Sequence, residues 1–436
     1  MHNYEESIDE VLKKLYPITR SITGNGNRET LKIINEIVPL NIIEYPTGQE
    51  VYDWTIPKEW NIQDAWIKNS KGEKIIDFKN SNLHVVSYSI PIHEKLKLSE
   101  FKDKLHYLDN LPEAIPYRTS YYNETWGFCL SYNDYLQYFN EDEEYELFID
   151  SELKDGSLTV GEILIKGNSQ KEYLLSSYIC HPSMLNDSMS GVITAAFIAK
   201  ELLEKQEQLE HSYRIVFVPE TIGAIAYCAN NENQMKAIEN GLVLTTCGGP
   251  GAFGYKQSWD KNNFINQMIE DIFQENKIDF ITYPFDIHGS DERQYSSQGF
   301  KINCATISKD KYYAYDYYHT SLDDLDFVKA VYLNETINLY LQLISKMDKN
   351  IIYENMQPNC EVMLSKHDLY PKTGGAQLPN SDVSALDIIL WSLFYMDGTM
   401  SLYEISKKLN VSIELVYGQV KNLEEKKIIG NNSVRV

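Results

Sequence analysis

Five residues of this 436-residue chain stand at the edges of apolar runs with side chains suited to holding a divalent cation. His181 follows "YLLSSYIC", Asp187 lies in "NDSMSGV", Glu220 follows "YRIVFVP", Asp291 sits in "HGSDERQYSSQGF", and His319 lies in "YYHTSLDDLDFV". Two imidazoles and three carboxylates are the donor set that Zn²⁺ or a similar ion prefers. Taken singly, each residue has a plainer role open to it. His181 suits a helix cap or a hydrogen-bonded core position, Asp187 an N-cap, and Asp291 an Asx-turn.

Convergence of these residues depends on the elements that carry them. Between about 140 and 350, "YLLSSYIC", "YRIVFVP", "GLVLTTC" and "KINCATIS" alternate with helical patterns such as "GVITAAFIAKELLEK". Short strands apolar on both faces are those of a mostly parallel mixed sheet covered by helices, hence an α/β fold. In such sheets ligands gather beyond the carboxyl ends of the strands, where these polar residues fall.

The rest of the chain divides in two. Before the α/β region, Ile8, Val11, Leu12 and Leu15 form one helical stripe. From 46 to 139, aromatic and β-branched runs broken by prolines predict an inserted β-rich domain, leaving 1–45 and 140–352 as the α/β domain. Residues 360–436 predict three helices with Ser401 and Ser412 as N-caps, a winged-helix domain.

Composition excludes several functions. A net charge of −23 repels phosphate backbones, and residues 384–436 carry six acidic and six basic side chains, so no electrostatic footprint for nucleic acid is expected there. The tail is expected to meet a protein partner or a second copy of the chain instead. No apolar run approaches the roughly 20 residues that span a bilayer, and no signal-peptide pattern opens the sequence, so a cytoplasmic protein without membrane contact is expected. Six cysteines scattered without a CxxC pair read as reduced thiols.

The ordered set "H…NDSMSGV…ETIGAIAY…GSDERQYSSQGF…YYHTSLDDLD" resembles the zinc-dependent aminopeptidase family, whose relatives include glutamate carboxypeptidase and glutaminyl cyclase. The insertion text "IPYRTSYYNETWGFCLSYNDY" and the helical tail resemble the aminopeptidase-like proteins associated with bacterial polysaccharide biosynthesis. The resemblance implies one or two zinc ions per chain. His181 and Asp291 would ligate the first, Asp187 would bridge, His319 would ligate the second, and Glu220 would be the general base. It implies hydrolysis of an amide next to a free amino group, in a peptide or small aminoacyl compound. A non-catalytic scaffold of polysaccharide biosynthesis is the alternative.

At two points the chain departs from the family pattern. Thr221 stands where relatives carry a second, metal-ligating glutamate, and Ser183 stands where relatives carry the aspartate that orients the first histidine. Glu292, Asp286 and His288 are candidates to rebuild the lost ligand. Among substrate-binding candidates, Glu292, Asp316 and Asp323 would hold a free amine, and Arg118 and Arg293 a carboxylate.

Overall fold

The stripe of Ile8, Val11, Leu12 and Leu15 is the buried face of the helix Glu5–Leu15. In the computed structural model, which describes residues 3–370 and 383–431, the chain forms two compact units. The larger comprises Met1–Ile165, Glu172–Glu204 and Tyr213–Tyr340; the smaller comprises Lys166–Lys171, Lys205–Ser212 and Leu341–Val436. Residues 371–382 and Arg435, both assigned from sequence to the tail, lie outside the described residues.

A mixed eight-stranded sheet organises the larger unit, in the order Asn41–Pro46, Ser157–Ile165, Ser212–Val218, Glu172–Tyr178, Asn240–Val243, Asn303–Lys309, Phe253–Lys256, Phe280–Tyr283. Glu172–Tyr178, Asn240–Val243 and Asn303–Lys309 run parallel through its centre. At one side Asn41–Pro46, Ser157–Ile165 and Ser212–Val218 are antiparallel. Every residue of Ser212–Val218 and Asn303–Lys309 is buried, which is why these strands read as unbroken apolar runs.

The helix Ser190–Glu204 is buried along nearly its whole length, matching a sequence apolar on all sides. It approaches the sheet closely at Gly191, where a Cβ would stand 2.0 Å from the Leu244 carbonyl oxygen. Only glycine fits that approach, and it sets where Asp187, four residues earlier, enters the site.

The β-rich insertion has a sheet and core of its own. Its strands lie in the order Lys74–Asp77, Glu59–Lys68, Glu144–Lys154, Ile92–Lys97. Ala65, Ile67, Phe101, Phe128, Tyr145, Leu147 and Ile149 pack together beneath it. The sheet therefore runs past the boundary expected at residue 139. The acidic run 141–144 breaks the apolar pattern, yet Glu144–Lys154 alternates buried and open positions and pairs antiparallel with Glu59–Lys68 and Ile92–Lys97.

In the smaller unit, Ile352–Asn355 pairs antiparallel with both Asp397–Ser401 and Ile429–Asn431. The winged-helix sheet thus begins at 352 rather than 360. A four-residue strand with a single buried residue, Tyr353, shows no readable period. Ser384, Ser401 and Ser412 cap the helices Ala385–Tyr395, Leu402–Leu409 and Ile413–Glu425, the first two in capping boxes with Asp387 and Glu404. Glu210 accepts from Tyr417 Oη and Lys421 Nζ, both at 2.6 Å, tying Lys205–Ser212 to the last helix. Among the described residues no helix is long and apolar enough to cross a membrane.

Candidate metal centre

Glu172–Tyr178 ends in a short connection that delivers His181, and the turn that follows brings Asp187 back towards it. His181 and Asp187 are 3% and 1% exposed. Their facing atoms, His181 Nε2 and Asp187 Oδ2, lie 3.9 Å apart. His319 arrives from the connection after Asn303–Lys309, with Nε2 3.0 Å from the same Asp187 oxygen. One ligand atom from each of His181, Asp187 and His319 lies within 4.8 Å of the other two.

Glu220 follows Ser212–Val218, and its Oε2 is 3.9 Å from His181 Nε2. Three residues here hold positive φ without being glycine, Ser183 at 46°, Thr221 at 63° and His319 at 56°. Such conformations cost about 1–3 kcal/mol and persist where the surroundings impose them, commonly at functional sites.

Electrostatics prepare His181 and Asp187 for a cation. Burial pushes the His181 imidazole down to about 4 despite the Asp187 carboxylate beside it, with His319 and Arg20 adding to the effect, so the ring is neutral and free to ligate. Burial works against the Asp187 charge, but His181, His319 and the Tyr178 hydroxyl outweigh it and bring the carboxyl down to about 2. Burial, then the negative charges of Asp291 and Asp187, hold Glu220 well above the usual carboxylate range, opposed by Arg293.

The residues fit a single ion. Asp187 Oδ2 and His319 Nε2 are buried atoms with no hydrogen-bond partner, an arrangement that costs free energy in a bare site and is relieved by a cation between them. Asp187 is held for that role from behind. Its Oδ1 accepts from the Tyr178 hydroxyl. Its backbone N–H and that of Asn186 donate to Asp323, at 2.9 and 2.6 Å.

The sequence paired His181 with Asp291 on a first ion; the structure instead gathers His181 with His319 around Asp187. Asp291 stands outside that trio. Its Oδ1 accepts from the Thr221 N–H at 2.7 Å while Oδ2 is buried without a partner. Burial raises this carboxyl to about 7, with Glu292 adding to the shift against the Thr221 N–H and Arg293.

The substrate candidates separate likewise. Glu292 is 1% exposed and its Oε1 already accepts from Lys256 Nζ (2.7 Å) and Tyr312 Oη (2.9 Å), so it is neutralised instead of offered to an amine. Asp286 also faces Lys256, at 3.2 Å, Lys256 donates to the His288 carbonyl, and among the described residues neither Asp286 nor His288 joins a cluster of metal-ligating atoms. Asp323 is occupied by the Asn186–Asp187 backbone, and Asp316 is exposed. Arg293 lies at the mouth, with Nη2 3.1 Å from Thr221 Oγ1. Arg118 is exposed, bonded to the Tyr117 carbonyl, and influences His106 and Cys129 instead of the site acids.

The insertion nevertheless reaches the centre through Tyr117, which the sequence reading passed over. Its ring centroid is 5.3 Å from both the His181 and His319 rings, its N–H donates to the His319 carbonyl, and its hydroxyl meets that of Tyr121 at 2.9 Å. Pro116 bridges to Thr320 in the same stretch. The clustering of tyrosines was the visible signal.

The fold is aminopeptidase-like, similar to that of zinc aminopeptidases. The zinc aminopeptidase of Bacillus subtilis shares the fold, with a TM-score of 0.55 over 77% of this chain and 94% of that one, at 11% identity. A crystal structure from Clostridium acetobutylicum, provisionally assigned as a peptidase, matches with a TM-score of 0.85 and 39% identity over 98% of this chain and 96% of that one. A protein of the same organism, provisionally described as a polysaccharide biosynthesis protein with an aminopeptidase-like domain, is 43% identical over 92% of this chain and 91% of its own length. The chain belongs to the family defined by a domain of unknown function, DUF4910, which matches residues 9–350, and a winged helix-turn-helix matches 351–431.

Proposed function

We propose that this protein is a metal-dependent hydrolase of aminopeptidase type, acting in the cytoplasm on an amide next to a free amino group in a peptide or small aminoacyl compound. The convergence of His181, Asp187 and His319 within 4.8 Å, with two of their atoms buried and unpartnered, carries this reading. Zinc held there would supply Lewis acidity at the scissile carbonyl and make water a better proton donor.

The chain's own residues do the rest. Glu220, 3.9 Å from His181, takes the proton from the attacking water and returns it to the leaving amine. Its raised proton affinity, caused by burial and the flanking carboxylates, suits a group that must accept before it donates. Tyr117 packs against the two imidazoles and helps keep bulk water from the buried His181. Arg293, beside Thr221, favours substrates with an acidic group near the scissile amide.

The test is metal content after purification without chelator, followed by turnover of aminoacyl anilides. We expect bound zinc in wild type and in Glu220→Gln, with turnover in the variant lower by about 10²–10⁴-fold. A metal-free wild type with no Glu220-dependent turnover would reject the reading. One observation favours the scaffold alternative in polysaccharide biosynthesis: Thr221 supplies no ligand and Glu292 is locked to Lys256. On that reading, loss of His181 and Asp187 leaves the cellular phenotype unchanged.

A further inference from the structure

A histidine that ligates a metal through one ring nitrogen almost always donates its other N–H to a partner that fixes the tautomer. Ser183, where the family pattern has an aspartate for this purpose, turns away: its hydroxyl donates to the Tyr16 carbonyl at 2.8 Å. The atom facing His181 Nδ1 is instead Cys180 Sγ, at 3.5 Å. The same sulfur accepts the backbone N–H of Glu220 at 3.2 Å. Cys180 is 1% exposed, in a setting that excludes water as a competing partner. Arg20, also 1% exposed, anchors the backbone here, its Nε donating to the His181 carbonyl at 2.7 Å.

We infer that Cys180 is the positioning residue of this centre: its sulfur accepts the Nδ1–H of His181 and the N–H of Glu220, aiming the ligand's Nε2 and the base at one point. The inference rests on the hydrolase reading above. It explains how the chain tolerates Ser183. With the proton on Nδ1, the Nε2 lone pair faces Asp187 and Glu220, 3.9 Å away on either side. One atom thereby couples the orientation of the ligand to that of the base, through adjacent strand ends.

The role is tested with Cys180→Val, which keeps volume and removes the acceptor, and Cys180→Ser, which keeps an acceptor. Zinc affinity is read by competition with a chromophoric chelator, and the His181 tautomer by ¹⁵N NMR of the metal-free full chain. We expect Cys180→Val to bind zinc about 10–100-fold more weakly and its His181 to lose the single Nδ1–H tautomer. Cys180→Ser should stay near wild type in both. Two results would overturn the inference: Val and Ser variants that behave alike, or a sulfur-to-cobalt charge-transfer band in the Co²⁺-loaded wild type, which would make Cys180 a ligand itself. A wild type that binds no zinc would end the hydrolase reading as well. Zinc bound equally by wild type and Cys180→Val would remove this inference alone.

Discussion

Two halves of the same site treat their polar groups differently. Around His181, Asp187 and His319, ligand atoms lie within 4.8 Å of one another, and two of them, Asp187 Oδ2 and His319 Nε2, are buried without partners. Around Thr221, Asp291 and Glu292, each carboxylate has one oxygen held by protein: Asp291 Oδ1 accepts the Thr221 N–H and Glu292 Oε1 is paired with Lys256, while Asp291 Oδ2 and Glu292 Oε2 are buried without a partner. The first half presents two imidazoles and a carboxylate to a common point, whereas in the second a lysine ammonium already faces a carboxylate. Thr221 offers no carboxylate to the second half, and Glu292 there is paired with a lysine. On that contrast the proposed hydrolase would hold a single metal, with Glu220 beside His181.

The contrast can be broken first at its strongest point. Asp187→Ala removes the carboxylate that both imidazoles face, and zinc affinity should fall by more than the ~10–100-fold typical of losing an outer partner. Competition titration would show it, and retention of zinc at wild-type affinity would contradict the one-ion assignment. Lys256→Met should next destabilise the fold by about 3–5 kcal/mol, because Glu292 is left as a buried charge without its partner. Chemical denaturation of Lys256→Met against the double variant with Glu292→Gln would reveal the pairing: the double variant should recover much of the loss. If the single variant unfolds like wild type, the second half is not closed by this pair.

Thr221→Glu sharpens the comparison by restoring the family's carboxylate. Metal content should rise towards two equivalents, measured by mass spectrometry on protein exchanged into dilute zinc. A content unchanged from wild type would show that residue 221 is not what separates the halves. The smallest effect is expected at the mouth. Arg293→Ala should raise KM for acidic aminoacyl anilides several-fold while leaving kcat nearly unchanged, as a lost rim contact does. Arg118→Ala should leave both constants alone, since that side chain faces His106 and Cys129.

How far the sequence reached is visible in the same residues. His181, Asp187, Glu220 and His319 were legible because apolar strands of an α/β sheet end where ligands bind, and polar residues just past such ends are conspicuous. The pairing of His181 with His319 in place of Asp291 was not, since it depends on how three connections fold over the sheet. Arg118 and Tyr117 make the point most simply. Adjacent residues of an extended segment point to opposite faces. The sequence located the right stretch of the insertion and favoured its arginine, yet Tyr117 is the one turned to the imidazoles. Glu292 looked available because its partner, Lys256, lies 36 residues away at the end of the strand Phe253–Lys256. The limits of the inserted sheet were likewise hidden, because the acidic run 141–144 interrupts the apolar pattern just where the strand Glu144–Lys154 begins.

The most direct test of the one-ion centre is anomalous diffraction at the zinc edge from crystals of protein never exposed to chelator. A single peak about 2.0–2.2 Å from His181 Nε2, Asp187 Oδ2 and His319 Nε2 is the predicted result. No peak there, or one seated against Cys180 Sγ and Glu220 instead, would contradict it.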